Sequence, residues 1–263
     1  MHLQRAAVAT VALAVSVACV LIQWRRQRRL WLACAPVPSA SPPEPVSWTL
    51  QDLDALHFSA DYLFAYKQHD LHLDSPAHDV TLQKQLCACY PELIDKATAF
   101  GFRNVHQLDY ATSGVLCFAL NKKAAGAAGK LFQRRLAQKC YLALVEGHVP
   151  WDHKTACWGI GDDASDPRGF RMALEGAAGC VSPLAASTDC FMVSRGYFRG
   201  RAVTKLLLRP RSGRRHQLRL HCLALGHAIV GDVAYTGDEQ APRMMLHAWL
   251  LQVGWSTRCS LRW

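Results

Sequence analysis

No acidic residue precedes Glu44, none lies between Arg199 and Arg219, and no Cys-x-x-Cys pair occurs in the 263 residues. The missing Cys-x-x-Cys removes the usual zinc-knuckle spacing, and Cys87 and Cys89, one residue apart, do not supply it. The eleven cysteines are odd in number and scattered, which argues against a secreted disulfide framework. Most, such as Cys117, Cys140 and Cys222, sit inside apolar runs and read as reduced core residues of a cytosolic or matrix-like compartment. No metal site is expected. Lys and Arg number 30 against 20 Asp and Glu, a net charge of +10. That balance points to a polyanionic partner, either nucleic acid or an anionic membrane, and is silent on fold.

The acid-free start has its own organisation. Ala6 to Ile22 is small and apolar, interrupted in polarity only by Thr10 and Ser16, and is followed by Arg25, Arg26, Arg28 and Arg29. A run of this length is at the lower limit for crossing a bilayer. Arginines on its C-terminal side would keep the remainder in the cytosol. An acid-free, Arg-containing start also suits a mitochondrial presequence. The expectation is therefore a membrane-anchored protein with a cytosolic domain, with membrane contact through residues 6–22, or a mitochondrial protein. Secretion is not expected, because the heavier positive charge is on the wrong side of the apolar run. Pro36 to Pro45 reads as an extended Pro/Ser linker. Residues 1–49 are thus a hydrophobic anchor or targeting segment plus linker, and residues 50–263 one catalytic domain, expected to be a monomer.

Within that domain, Leu56 to Tyr66 alternates roughly and predicts a first strand or hairpin. Thr81 to Cys89, with Leu82 and Leu86 four apart, predicts an amphipathic helix capped by Thr81. Lys123 to Gln138 predicts a basic helix, and Lys139 to Gly147 a strand. Trp151 to Ala186, rich in Gly, Asp, Ser and Pro, looks like an inserted region with short strands. Ala202 to Arg209 alternates as a strand, and Pro210 to Gly213 turns the chain. Arg214 to Leu225 predicts a helix ended by Gly226, whose first N–H groups and basic side chains could meet an anion. From Arg199 to Arg219 there are eight Lys or Arg, an imbalance that favours phosphate contact over a merely solvated face.

The most informative stretch is His106-Gln107-Leu108-Asp109-Tyr110-Ala111-Thr112-Ser113-Gly114, running into the apolar Val115 to Leu120. It places a carboxylate in a short polar loop at the mouth of a buried strand, where the group is held rigidly and partly desolvated. That suits a nucleophile or an acid/base. A lone loop Asp is otherwise an ordinary turn residue.

This block resembles the catalytic motif of RluA-type pseudouridine synthases, which reads His-Arg-Leu-Asp, two variable residues, then Thr-Ser-Gly. The usual Arg is Gln107 here. Lys139-Cys140-Tyr141-Leu142 resembles the family's second motif, with Tyr141 at the position that packs beside the catalytic Asp. Ser212-Gly213-Arg214-Arg215-His216-Gln217-Leu218-Arg219 resembles the third, whose last Arg, here Arg219, pairs with that Asp. His227 to Asp232 continues the match, and Met244-Met245-Leu246-His247 resembles a motif whose Leu, here Leu246, lines the uracil pocket. The family's Lys-Pro after the first hairpin is Lys67-Gln68. Thr81 to Leu86 and the His-Gln-Leu-Asp variant look most like the RNA pseudouridylate synthase domain-containing subgroup. Four motifs in the right order, spanning about Leu53 to Leu251, carry the resemblance.

The resemblance implies an α+β fold with a mixed, mostly antiparallel sheet, flanking helices and a central cleft. It implies RNA as substrate and isomerisation of uridine to pseudouridine without cofactor or metal. Asp109, Tyr141 and Arg219 would be catalytic, Asp109 acting at the sugar either as nucleophile at C1′ or as base at C2′. His106, Gln107, Thr112, Ser113, Gly114, Arg214, His216, Gln217 and Leu246 would bind substrate. The alternative is an inactive RNA-binding protein or RNA chaperone with the same fold, for which Gln107 leaves room. A membrane-surface scaffold using only residues 6–22 and the basic run is a third reading. Deleting residues 1–49 is expected to leave the remainder folded while changing where the protein resides, as read by circular dichroism and cell fractionation.

Overall fold

The computed structural model describes residues 46–253 and, as backbone, Thr257–Ser260. The apolar run, the arginine cluster and the Pro/Ser linker lie outside the described residues. Among the described residues no helix is long and apolar enough to cross a membrane.

The first elements are a hairpin of β1 (Asp54–Phe58) and β2 (Tyr62–Lys67), as the alternation predicts. Helix α1 (Leu82–Cys89) follows, with the Thr81 hydroxyl accepting from the Lys84 N–H at 3.2 Å. After β3 (Arg103–Asn104) the 105–112 loop leads into β4 (Ser113–Ala119), buried along its whole length. Helix α2 (Lys122–Gln133) is capped by the Asn121 side chain and ends five residues short of the sequence expectation. The chain needs Arg134 to Ala137, with Arg135 at φ 58°, to reverse into β5 (Gln138–Glu146).

The inserted region holds β6 (His153–Ala156), β7 (Ile160–Asp163), β8 (Met172–Leu174) and β9 (Cys180–Leu184). The long hairpin β10 (Thr188–Phe198) and β11 (Arg201–Pro210) comes next. Helix α3 (Gln217–Ala224) starts three residues later than the sequence suggests. The Gln217 side chain folds back, its Oε1 accepting from the Arg214 N–H at 3.0 Å and from the Ser212 hydroxyl at 2.8 Å. His216, in the left-handed region, precedes the helix, so Arg214 is not on its first turn. Gly226 at φ 82° ends it, as expected. A short α4 (Val233–Thr236), β12 (Leu246–Val253) and β13 (Thr257–Ser260) complete the order.

Ten strands form one sheet with the path β1-β2-β4-β12-β5-β11-β10-β6, β3 and β13 pairing at its side, and β8-β7-β9 form a small second sheet. The β4–β12 pair is parallel, while β2–β4, β5–β12, β5–β11 and β10–β11 are antiparallel. This is the α+β architecture with a mixed, mostly antiparallel sheet expected from sequence.

The sheet centre is buried on both faces. On β4, Val115 and Cys117 join one core cluster with Tyr141, Leu208, Leu218 and Leu246, whereas Leu116 and Phe118 join another with Leu63, Leu82 and Leu86. A strand covered on both sides reads as a continuous apolar run because neither set of alternating side chains meets water. The eight described cysteines are thiols. Cys117 and Cys222 are buried as expected, and so is Cys190; Cys140 is only half-buried, and Cys89 and Cys157 are exposed.

Gly114 makes the parallel join possible. It sits at φ 125°, and a Cβ there would lie 2.3 Å from the Ala248 carbonyl oxygen and 2.6 Å from its nitrogen. Neither backbone atom can retreat without breaking the β4–β12 pairing. Gly114→Ala should therefore cost about 3 kcal/mol or more. For a domain of this size that is a fall in Tm of roughly 6–12 °C, measurable by calorimetry.

Candidate active site

Asp109 lies in the 105–112 loop, and three devices fix that loop. The Asp109 carbonyl accepts from the Thr112 N–H at 3.1 Å, closing a turn. Leu108 packs against both core clusters. Beneath them, the fully buried Lys67 ends β2 and donates to the carbonyls of Gln68, Tyr110 and Thr112 at 2.9, 2.7 and 2.9 Å. An ammonium has three N–H donors, and here all three are used. Burial pushes Lys67 down to about 7, opposed by the charges of Asp70 and Asp109.

The Asp109 carboxylate is one-quarter exposed and 3.5 Å from Arg219 Nη1. Arg219 itself is buried, and its stronger partner is another acid. Its Nε and Nη2 donate to Asp232 at 2.8 and 2.6 Å in a two-pronged pair, with Asp232 only 2% exposed. Removing either member of such a pair alone costs about 3–5 kcal/mol. The Tyr235 ring lies 4.9 Å from the guanidinium carbon, and its hydroxyl meets His216 Nδ1 at 2.8 Å. Burial raises the Asp109 carboxyl above its ordinary value, against the lowering effect of Arg219 and Lys67; the Asp232 charge adds to the rise.

Tyr141, on β5, is nearly buried in the cluster that also holds Leu246, Leu208 and Leu218. Burial, and then the nearby Asp109 charge, push its hydroxyl upward. The structure thus brings Asp109, Arg219, Tyr141 and Leu246 into one neighbourhood. The other candidates are placed elsewhere or hold the frame. His106 accepts from the Cys117 N–H at 3.1 Å through Nε2, stacks on Phe132 and is pushed down to about 3 by burial and the Lys139 charge. Gln107 is exposed, and Thr112 is buried. Ser113 meets His247 Nδ1 at 2.8 Å and accepts from Arg243, while Gly114 forms the close strand contact already described. His216 is held by Tyr235 and pushed down to about 3, mainly by burial and then by Arg219. Gln217 is buried and also donates to the Ser187 carbonyl and the Thr188 hydroxyl. Arg214 Nε donates to the Ala185 carbonyl at 3.4 Å.

The acid-free run from Arg199 to Arg219 is less cationic in space than in sequence. Arg201 pairs with Glu146 and Asp238, Arg211 with Asp189, Arg215 with Asp162 and Arg219 with Asp232. Acids from other segments close on half of the run. Among the described residues no group of His, Cys, Asp or Glu is placed to hold a metal ion.

Lys67, Asp232 and Tyr235 were not singled out from sequence as site residues. The signal for Lys67 was a lysine closing an otherwise apolar strand. Asp232 ends the His227–Asp232 stretch and Tyr235 lies three residues beyond it, but nothing in a linear sequence pairs either with Arg219.

A carboxylate held at the end of a buried strand by a shared guanidinium and a buried ammonium, beside a tyrosine and a leucine, defines a class, and the comparisons identify it. The family model for RNA pseudouridylate synthases matches residues 61–224, and the chain belongs to that family. Among curated relatives, the human RNA pseudouridylate synthase domain-containing protein 1 is 44% identical over 217 residues, covering 80% of this chain and 70% of the relative. The dual-specificity RNA pseudouridine synthase RluA of Vibrio vulnificus is 34% identical over 178 residues, covering 66% of this chain and 65% of the relative. The solved structure of human RNA pseudouridylate synthase domain containing 1 superposes with a TM-score of 0.71 at 41% identity, covering 82% of this chain and 84% of that one.

Because the Asp109 carboxyl is raised in the folded state, folding favours its protonated form. Stability therefore falls as pH rises from the unfolded-state value through the folded-state value. Asp109→Asn removes the charge while leaving Arg219 paired with Asp232. It should raise Tm at neutral pH, with the gain vanishing in acid below the ordinary aspartate range. Thermal melts across pH check this.

Proposed function

We propose that this chain isomerises uridine to pseudouridine in RNA, with Asp109 acting on the sugar. The observation that carries the reading is the Asp109 carboxylate, open to solvent on one side and 3.5 Å from a buried guanidinium on the other. A carboxylate can act at C1′ as nucleophile, or at C2′ as base, only when ionised. Arg219 and Lys67 favour its charge, while burial keeps it poorly solvated and reactive. The uracil N1–C1′ bond breaks, the base turns, and C5 joins C1′; the C5 proton is lost and N1 regains one. The reaction is an isomerisation with no net change in atoms or electrons.

Tyr141 and Leu246 supply the apolar side of a uracil site. With its hydroxyl pushed upward by burial, Tyr141 stays a neutral phenol at working pH. It serves as a stacking wall rather than as the base that takes the C5 proton. The uridine must leave its stack to reach Asp109, and the solvent-facing Gln107 stands where the family's motif has an Arg.

Asp109→Asn should abolish pseudouridine formation, since an amide neither attacks the sugar nor takes its proton. RNA affinity should change little, because phosphate contacts elsewhere dominate it. The measurement is tritium release from 5-labelled uridine in total cellular RNA, beside filter binding of the same RNA. Full turnover in Asp109→Asn would sink the catalytic assignment. Binding without turnover in the unmutated protein would favour an RNA-binding role instead.

A further inference from the structure

Tyr110 follows Asp109 directly, belongs to none of the core clusters and is 45% exposed. Its ring does not stand alone. His72 lies 4.5 Å away in a tilted contact, and His72 is in turn stacked on His78 at 4.0 Å with only 12° between the planes. Three flat rings therefore form a continuous ledge beside the Asp109 loop, rising from half-buried His72 to exposed His78. The ledge rests on a firm base. Lys67 Nζ holds the Tyr110 carbonyl at 2.7 Å, the His72 carbonyl accepts from the Leu82 N–H at 2.9 Å, and Lys84 Nζ holds the His78 carbonyl.

A single exposed aromatic on a protein surface is unremarkable. Three rings in contact, held by buried or helix-anchored backbone and starting one residue from the Asp109 carboxylate, are a preorganised surface whose ordering cost has already been met in folding. The chemistry such a surface recognises is another flat ring. When a nucleotide is extruded toward Asp109, the bases flanking it lose a stacking partner. Unpaired bases in RNA regain it on aromatic side chains.

We propose that Tyr110, backed by His72 and His78, is a stacking shelf for the unpaired nucleobase adjoining the uridine at Asp109. The substrate class is therefore uridine in a single-stranded or looped segment of RNA. This rests on RNA occupying the Asp109 site, as argued above. Tyr110 binds and orients the neighbouring base; it takes no part in bond making.

The test uses two nine-nucleotide single-stranded RNAs with a central uridine, carrying 2-aminopurine on its 5′ or its 3′ side. Each is titrated with the full-length Asp109→Asn protein, with or without a second change at Tyr110. Stacking on the shelf should quench 2-aminopurine fluorescence on one of the two sides. Tyr110→Leu should remove that quench and weaken binding about 5- to 150-fold, the worth of one stacked base. Tyr110→Phe should keep both. An unchanged quench and Kd in Tyr110→Leu overturns the shelf, and so does failure of the Tyr110-intact protein to bind either oligonucleotide. Pseudouridine formation by the Asp109-intact protein on cellular RNA is scored separately. Turnover there with no Tyr110 dependence in the oligonucleotides defeats the shelf alone. A Tyr110-dependent quench with no turnover defeats the enzymatic reading and leaves the shelf standing.

Discussion

The Arg219 guanidinium holds two carboxylates of unequal status, and the site's chemistry follows from that inequality. Asp232 takes two short hydrogen bonds and is sealed from water, whereas Asp109 takes one longer contact and faces solvent. A buried cation needs a permanent counter-charge, and Asp232 provides it. Arg219 can therefore stay charged and fixed whether Asp109 is ionised or protonated. Asp109 in turn has a positive neighbour without being neutralised by it. A single Arg–Asp pair would have made Asp109 the anchor of the guanidinium, and protonating Asp109 would then have stranded a buried charge.

The small sheet of β7, β8 and β9 joins this arrangement through Tyr235. Its hydroxyl accepts from the Met172 N–H at 2.9 Å and donates to the Met172 carbonyl at 3.2 Å, while its ring covers Arg219 on one side and lies near Arg171 on the other. The inserted region is therefore linked, through Tyr235, to the cation beside Asp109. Its composition alone, rich in Gly, Asp and Ser, gave no hint of that connection.

What could be read in advance was whatever depends on neighbours in sequence. The Thr81 cap, the Gly226 stop and the alternation of β5 and β11 are local, and so is the placing of Asp109 at the mouth of a strand. The motifs bring Asp109, Tyr141, Arg219 and Leu246 into consideration because each sits in a recognisable short context. What could not be read depends on tertiary partners. The late start of α3 follows from the Gln217 side chain bonding back to Arg214 and Ser212. The shortened α2 follows from the reversal needed to enter β5. Asp232, Lys67 and the neutralisation of the basic run require knowing which distant segments meet. Many of the conspicuous polar residues of the motifs are occupied inside the protein, His106 and Gln217 in holding backbone and Ser113 in bonding to His247 and Arg243, a use that sequence pattern does not separate from contact with substrate.

The parallel register between β4 and β12 has a consequence in time as well as space. His247 and Ala248 pair with Ser113 and Gly114 across some 130 residues of intervening chain, so the strand that begins at the reactive loop lacks its neighbour until the far end of the domain has been made. Contacts of such separation close late. On the ribosome, the loop around Asp109 would emerge with Lys67 already there to hold it, but β4 would keep one edge open until Ala248 had cleared the exit tunnel.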